Sequence, residues 1–299
     1  MCYDSETTIR RQLREAINLG APEDEIDALK KKMILIERKK GGREDPSDDN
    51  EFNDEELPQY FHVSGFAHPN LSFITSLHPT SVDCGIWGFI PRWVKTLTEA
   101  YNYKKPYNSN LNAQSEGMFE SRAFKYAARY RRCIIHLDAY YEYHHQNKTT
   151  YPFRIYHKEE KPLWVAGIFE LNELLDEKTG EILYFNSFGI LTCTANPMLS
   201  KIHNNPKMIS RTGRRMLVIL DESQLADYLA PYPNSHDPIE EALFDHAIVE
   251  LCQPYDEDLL NYDPVRNLKR RKGLEYLGNV PEIREVYHWP DLDLTKITG

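Results

Sequence analysis

Residues 131–143 read RRCIIHLDAYYEY, and from Cys133 onward the run is dominated by β-branched and aromatic residues. That composition specifies extended chain. Further short runs of the same character lie on both sides, at 60–63, 72–77 and 85–91 before it and at 153–157, 164–171, 187–194 and 216–220 after it, with turn residues between them. Helical patterns interrupt only occasionally, so the strand–helix alternation of a doubly wound parallel sheet is missing. The expected fold is α+β, a mostly antiparallel, barrel-like sheet with flanking helices.

Outside this core the chain changes character. Ile9, Leu13 and Ile17 recur every fourth residue and are stopped by Gly20 and Pro22, and Ile26, Leu29, Met33 and Ile36 repeat the helical spacing. An N-terminal helical hairpin over 6–40 follows, behind a short terminal segment at 1–5. Residues 43–58, REDPSDDNEFNDEELP, carry eight Asp or Glu against one Arg, which marks 41–58 as an acidic linker or loop. The sheet-rich core is expected over 59–252. Within it DESQLADYL at 221–229 reads as a short capped helix, and 253–299 is a polar, Pro-interrupted C-terminal extension.

With 299 residues and 41% hydrophobic content the chain can bury a large core. No apolar leader or membrane-length stretch is present, so a soluble, cytoplasmic protein without a membrane partner is expected, associated with the nucleoid if it acts on DNA. The five cysteines, Cys2, Cys84, Cys133, Cys193 and Cys252, are odd in number and lack a CxxC pair. This argues against a disulfide framework or zinc site, and neither metal nor cofactor is expected. A monomer is expected. The net charge of −10 weighs against a general nucleic-acid coat protein, although local distribution matters more than the sum.

Cys2 is the residue with the most distinctive chemistry. Removal of Met1 would leave an α-amine and a thiol on adjacent carbons, a 1,2-aminothiol. The amine can condense with an aldehyde to an imine, and the thiol can then close a five-membered thiazolidine. Reference pKa values of about 7.7–8.0 for the amine and about 8.5 for the thiol give both groups nucleophilic forms near neutrality.

One segment offers a track for a polyanion. Across 116–132 the spacing predicts an amphipathic helix, with Phe119, Ala123, Tyr126, Ala127 and Tyr130 on one face and Arg122, Lys125, Arg129 and Arg132 at i, i+3, i+7 and i+10 on another. In an acidic chain, four cations with no interleaved carboxylate form a candidate phosphate stripe. Lys201, Lys207, Arg211, Arg214 and Arg215 form a second basic stretch, while RNLKRRK at 266–272 suits a solubilising run.

Four local motifs join Cys2: WGFIPRW at 87–93 with Trp87 and Trp93, NAQSE at 112–116 with Asn112 and Glu116, YYEY at 140–143 with Glu142, and TANPMLSKIH at 194–203 ending in His203. Together with the Met-Cys start and RRMLVIL at 214–220 they resemble, in this order, the SRAP family, the SOS response-associated peptidases. The resemblance covers residues 1–3 and most of 60–225, with the MCYDS start similar to variant bacterial members. It implies recognition of abasic sites in single-stranded DNA, with Cys2 trapping the ring-opened aldehyde as a thiazolidine DNA–protein crosslink. It further implies self-processing as a thiol autopeptidase, crosslink reversal of lyase-like character, and a place in the DNA damage response. Under it Glu142 is the general acid/base, His203 shuttles protons and assists reversal, and Asn112 orients the terminal amine. Trp87 or Trp93 stacks on a base, and Arg215 is a phosphate ligand.

The chain departs from the family pattern in several places. Gln114 stands where the family has an Arg, Tyr3-Asp4 replace Gly-Arg, and eleven residues separate His203 from Arg215 where the common form has one. Two other functions fit the residues. An N-terminal-nucleophile cysteine hydrolase would use the Cys2 thiol on an amide and need no DNA; a noncovalent nucleic-acid or protein-interaction module would leave Cys2 inert.

Overall fold

The run at 131–143 forms two strands rather than one: Arg132–Leu137 and Ala139–Gln146 part at Asp138 and enter different sheets. The computed structural model describes residues 3–8, 22–24, 26–28, 30, 31, 34, 59–104, 110–234, 236–270 and 273–298. In chain order its strands are β1 (Asp4–Thr8), β2 (Gln59–Ser64), β3 (Asn70–Thr75), β4 (Val82–Trp87), β5 (Asn112–Gln114), β6 (Arg132–Leu137), β7 (Ala139–Gln146), β8 (Thr149–His157), β9 (Leu163–Leu175), β10 (Ile182–Thr194), β11 (Arg215–Leu217), β12 (Ile219–Leu220) and β13 (Leu260–Pro264).

Five strands close on themselves. β4, β3, β6, β9 and β10 pair antiparallel in that order, and β10 returns to β4 in parallel. A ring with an odd number of strands cannot alternate direction throughout, so one parallel pair is a geometric necessity. Closure removes the exposed edges that an open sheet would leave. The interior is filled by Phe73, whose ring centroid lies 5.8 Å from that of Phe169 and 5.4 Å from that of Phe188. Gly85 faces a tight approach, where a Cβ would stand 2.8 Å from the Asn186 carbonyl oxygen and 2.8 Å from the Phe73 ring. β5 and β11 pair with β10, and β12 with β9.

The second sheet has the order β13-β8-β7-β1-β2 and is antiparallel throughout. Its placement of β1 decides where the N-terminus goes. Asp4 is opposite Tyr141 on one side and Ser64 on the other, so the chain start threads between two longer strands. Residues 4–7 are polar, yet all are buried. Most of their polar groups are met inside: Glu6 is ion-paired to Arg154 at 2.6 Å and the Thr7 hydroxyl donates to the His136 carbonyl at 3.1 Å, while the Ser5 hydroxyl has no partner among the described residues. Helix was expected from residue 6; strand continues to Thr8 instead.

Among the described residues beyond the acidic segment, the helices are α1 (Leu97–Lys104), α2 (Lys125–Tyr130), α3 (Pro197–Ile202), α4 (Pro206–Thr212), α5 (Leu225–Leu229), α6 (Pro238–Leu251) and α7 (Thr295–Thr298). The helix expected over 116–132 is reduced to α2, preceded by a short turn of 3₁₀-helix at Ser115–Gly117. Arg132 opens β6, whose pairing with β9 starts at Arg132 opposite Ile168, and that ladder ends the helix. The capped helix read at 221–229 is present as Glu222–Gln224 followed by α5, with Asp221 forming a capping box. α6, begun by Asp237 as cap and Pro238, went unread in the sequence. In the expected N-terminal hairpin, the described residues between 23 and 34 are helical, with Ile26 and Ile34 buried. Most of the first hairpin helix and the acidic segment lie outside the described residues. The C-terminal extension supplies β13 to the second sheet. Among the described residues no helix is long and apolar enough to cross a membrane.

Candidate active site

Glu142 lies on β7 opposite Phe153 of β8, and only 2% of it is exposed. Among the described residues its Oε1 has no hydrogen-bond partner, an uncommon state for a buried carboxyl oxygen. His203 follows α3, a helix whose start is fixed by Asn196 accepting from the Leu199 N–H at 2.8 Å, with Pro197 at the first position. Hydrogen bonds on either side of His203 tie it to β7. The His144 Nδ1 donates to the Lys201 carbonyl at 2.9 Å, the His145 N–H donates to Asn204 Oδ1 at 2.6 Å, and Asn204 Nδ2 returns a bond to the His145 carbonyl at 3.0 Å. The His203 Nδ1 in turn lies 3.0 Å from the Arg215 carbonyl. A carbonyl only accepts, so Nδ1 carries the proton and the neutral ring keeps its lone pair on Nε2.

Glu142 and His203 line one cavity of about 190 Å³ together with Tyr3, Tyr143, His145 and Lys269. Cys2 lies outside the described residues. Tyr3, to which it is bonded, accepts from the Gly65 N–H at 2.7 Å and packs its ring 4.7 Å from that of Phe66. Behind Gly65 stands Trp87, so close that a Cβ at Gly65 would lie 3.1 Å from the indole. Trp87 is fully buried and donates from Nε1 to the Leu111 carbonyl at 2.9 Å. The stacking role expected of either tryptophan therefore does not fit Trp87, which braces the turn that holds Tyr3.

Asp4 is one of the two residues that replace Gly-Arg of the family pattern, and its position two residues after Cys2 suggests a carboxylate near the reacting terminus. Instead it is fully buried and held on three sides: His62 Nε2 is 3.1 Å from Oδ1, the Tyr143 hydroxyl donates to Oδ2 at 2.8 Å, and the Lys269 ammonium is 3.4 Å from Oδ2. Burial alone would raise its pKa; the His62 hydrogen bond, the Lys269 charge and the Tyr143 hydroxyl outweigh it and hold the carboxyl below the ordinary value. None of His62, Tyr143 and Lys269 stood out as a site residue in the sequence. The signal available was two carboxylates, Asp4 and Glu6, in a strand with no apolar residue.

The NAQSE motif sits on the barrel side. Asn112 is buried on β5 opposite Ile190 of β10 and is not among the described lining residues of the cavity. Glu116 takes both arms of Arg215, Nη1 to Oε1 and Nη2 to Oε2 at 2.7 Å each. Arg215 is 5% exposed, so the phosphate contact expected of it is replaced by an internal ion pair. The four cysteines among the described residues, Cys84, Cys133, Cys193 and Cys252, are all buried, and desolvation pushes Cys193 up to about 12 and raises Cys133 and Cys252 as well.

A family model for the SOS response associated peptidases, SRAP, matches residues 23–268. The chain belongs to that family. Among its relatives, the abasic site processing protein YoqW of Bacillus subtilis is 29% identical over 202 residues, 67% of this chain and 75% of that protein. The abasic site processing protein HMCES of Xenopus tropicalis is 29% identical over 136 residues, 40% of this chain and 38% of that protein. A crystal structure of a protein from Bacteroides thetaiotaomicron superposes with a TM-score of 0.67 at 25% identity, covering 96% of this chain and all of that one. The SRAP match begins after β1 and ends one residue before Lys269.

The cationic stripe that was expected to face DNA in this SRAP chain is broken up by the fold. Arg132 is fully buried, donating to the Tyr228 carbonyl at 2.7 Å and the Ala128 carbonyl at 2.8 Å. Arg129 is neutralised by Asp245 of α6, with Nε 3.1 Å from Oδ2. Arg122 and Lys125 remain exposed. Around them the surface gathers Trp93, 39% exposed, with the Arg122 guanidinium 5.2 Å from its ring, and Arg92, 3.9 Å from the Tyr126 ring. The sequence reading missed Arg92, although it adjoins Trp93 in WGFIPRW.

Proposed function

We propose that this protein captures ring-opened abasic sites in single-stranded DNA as a covalent adduct at Cys2. The observation that carries the reading is the cavity in which Tyr3, the residue bonded to Cys2, meets a buried Glu142 with an unpartnered oxygen and a His203 fixed in one tautomer. Family membership and the names of the relatives support it.

After loss of Met1, the Cys2 α-amine adds to the C1′ aldehyde and gives a carbinolamine. Protonation of its hydroxyl by Glu142 releases water and leaves an imine, and the thiol then adds to the imine carbon to close the thiazolidine. Overall one water is lost. His203, with its basic Nε2, relays protons during closure and in the reverse opening, which regenerates aldehyde and free terminus. The exposed surface of Arg92, Trp93, Arg122 and Lys125 suits the strand leading to the lesion, its cations meeting phosphates and Trp93 stacking on a base.

Intact mass before and after incubation with an abasic oligonucleotide tests the reading. The expected result is a chain lacking Met1 that gains the oligonucleotide mass less one water, with no gain in Cys2→Ala. A protein that binds the oligonucleotide yet never gains its mass overturns the covalent mechanism.

A further inference from the structure

We propose that Lys269 is a positioning residue for the chemistry at Cys2: it clasps Asp4 so that β1 delivers the N-terminus into the Glu142 and His203 cavity. This rests on the reading of Cys2 as the reacting residue. RNLKRRK looks like a surface run in sequence, but its first half is built into the molecule. Leu268 is buried in a cluster with Tyr141, Val265 and Ile283, and the Asn267 side chain donates to the Lys269 carbonyl. The backbone at Lys269 is thereby fixed.

From that fixed point the side chain reaches inward. Its ammonium is 3.4 Å from Asp4 Oδ2, 4.8 Å from the centre of the Tyr143 ring and 5.7 Å from that of Phe66, the ring that packs on Tyr3. Two aromatic faces and one carboxylate thus hold a single cation, an arrangement in which ion pair and cation–π attraction act together. Asp4 is two residues from Cys2, and a strand advances about 3.4 Å per residue, so freedom at Asp4 passes directly to the terminus. Asp4 has no apolar surface that could anchor it by burial. Backbone ladders to β2 and β7 pair it on both sides, and the placing of its buried side chain falls to its polar partners, of which Lys269 is the one supplied from beyond the SRAP match.

The test compares Lys269→Met, which keeps the stem and removes the charge, with Lys269→Arg, in the full chain. Three quantities are read: the adduct-forming rate at saturating abasic oligonucleotide, the Kd for the unmodified oligonucleotide, and backbone hydrogen exchange over residues 4–8. Positioning predicts that Lys269→Met lowers the saturating rate about tenfold, within what misplacement of a reacting group costs. The Kd stays within about twofold, exchange quickens at residues 5–7, and Lys269→Arg recovers most of the rate. A weakened Kd with a wild-type saturating rate would make Lys269 a phosphate contact and overturn the clasp, as would unchanged exchange. If the wild type itself forms no adduct, the reading of Cys2 falls, and the exchange data alone decide whether Lys269 holds β1.

Discussion

Arg215 and Glu116 meet through both arms of the guanidinium at 2.7 Å, and the pair joins β11 to the turn after β5, on opposite flanks of β10. The arginine is buried while 47% of the Glu116 side chain is exposed. Glu116→Ala therefore strands a buried guanidinium whose remaining side-chain contacts are the carbonyl and hydroxyl oxygens of Thr192. The expected loss is about 1–2 kcal/mol, below the roughly 3–5 kcal/mol of a fully buried pair because water screens the carboxylate. Urea unfolding measures it. A stability within experimental error of wild type would remove the pair from the fold's support.

Acid should attack the two carboxylates that are at least partly buried and whose pKa values are held down, Asp4 and Glu116. Burial opposes the lowering at both, but the His62 bond, the Lys269 charge and Tyr143 prevail at Asp4, and the Arg215 bonds prevail at Glu116. A folded-state pKa below the unfolded value stabilises the protein above about pH 4 and is lost as pH falls through the folded value. Glu6 acts in the other sense, since burial outweighs Arg154 and Arg284 and raises it, so its protonation on acidification is favoured in the folded state. The measurement is stability against pH for wild type and Asp4→Asn. The mutant, lacking one titrating group, is expected to be less stable at pH 7 and to fall less steeply below pH 4; parallel curves would mean that the Asp4 cluster contributes nothing to acid sensitivity.

The strands that alternate or run apolar were legible in the sequence; β1 was not, for a physical reason. Asp-Ser-Glu-Thr-Thr carries no hydrophobic signal, because its burial is compensated by Arg154, Lys269 and His62, each 58 or more residues from the carboxylate it pairs with. The division of 131–143 was hidden for the opposite reason, since both halves are apolar and only Asp138, whose N–H donates to the Glu6 carbonyl, marks the change of sheet. Glu142 and His203 could be picked from their motifs, and the fold brings them to one cavity. Trp87, Arg132 and Arg215 look in sequence like surface ligands because periodicity reports a face but not what covers it. Each proved to be capped by backbone carbonyls or a carboxylate from elsewhere in the chain.

Separate roles for Glu142 and His203 give separate kinetic signatures. Glu142→Gln keeps the shape and removes the transferable proton, and adduct formation is expected to slow about 10²-fold, the low end of general acid–base catalysis. His203→Ala is expected chiefly to slow release of a preformed adduct. Rates of formation and reversal on both variants distinguish the two. Wild-type formation kinetics in Glu142→Gln would exclude the carboxyl from the chemistry.

The last prediction concerns how a chain of net charge −10 holds a polyanion. The fold divides the four cations of the expected stripe into two that face solvent, Arg122 and Lys125, and two that are spoken for, Arg129 by Asp245 and Arg132 by carbonyls. Only free charges release counterions on meeting phosphates, at a slope of about −0.7 per neutralised phosphate on single strands. Arg122→Ala with Lys125→Ala should therefore flatten the salt dependence of binding to an unmodified oligonucleotide by about one unit or more, and weaken affinity for any sequence alike. Arg129→Gln should leave the slope unchanged and lower stability instead, since it frees Asp245. Trp93→Ala should weaken binding by about 1–3 kcal/mol with no change of slope, as loss of a stacking face does. The assay is affinity over a salt series for all three variants. A slope that falls with Arg129→Gln and not with the Arg122 and Lys125 pair would mean that the strand runs over α6 and not past Trp93.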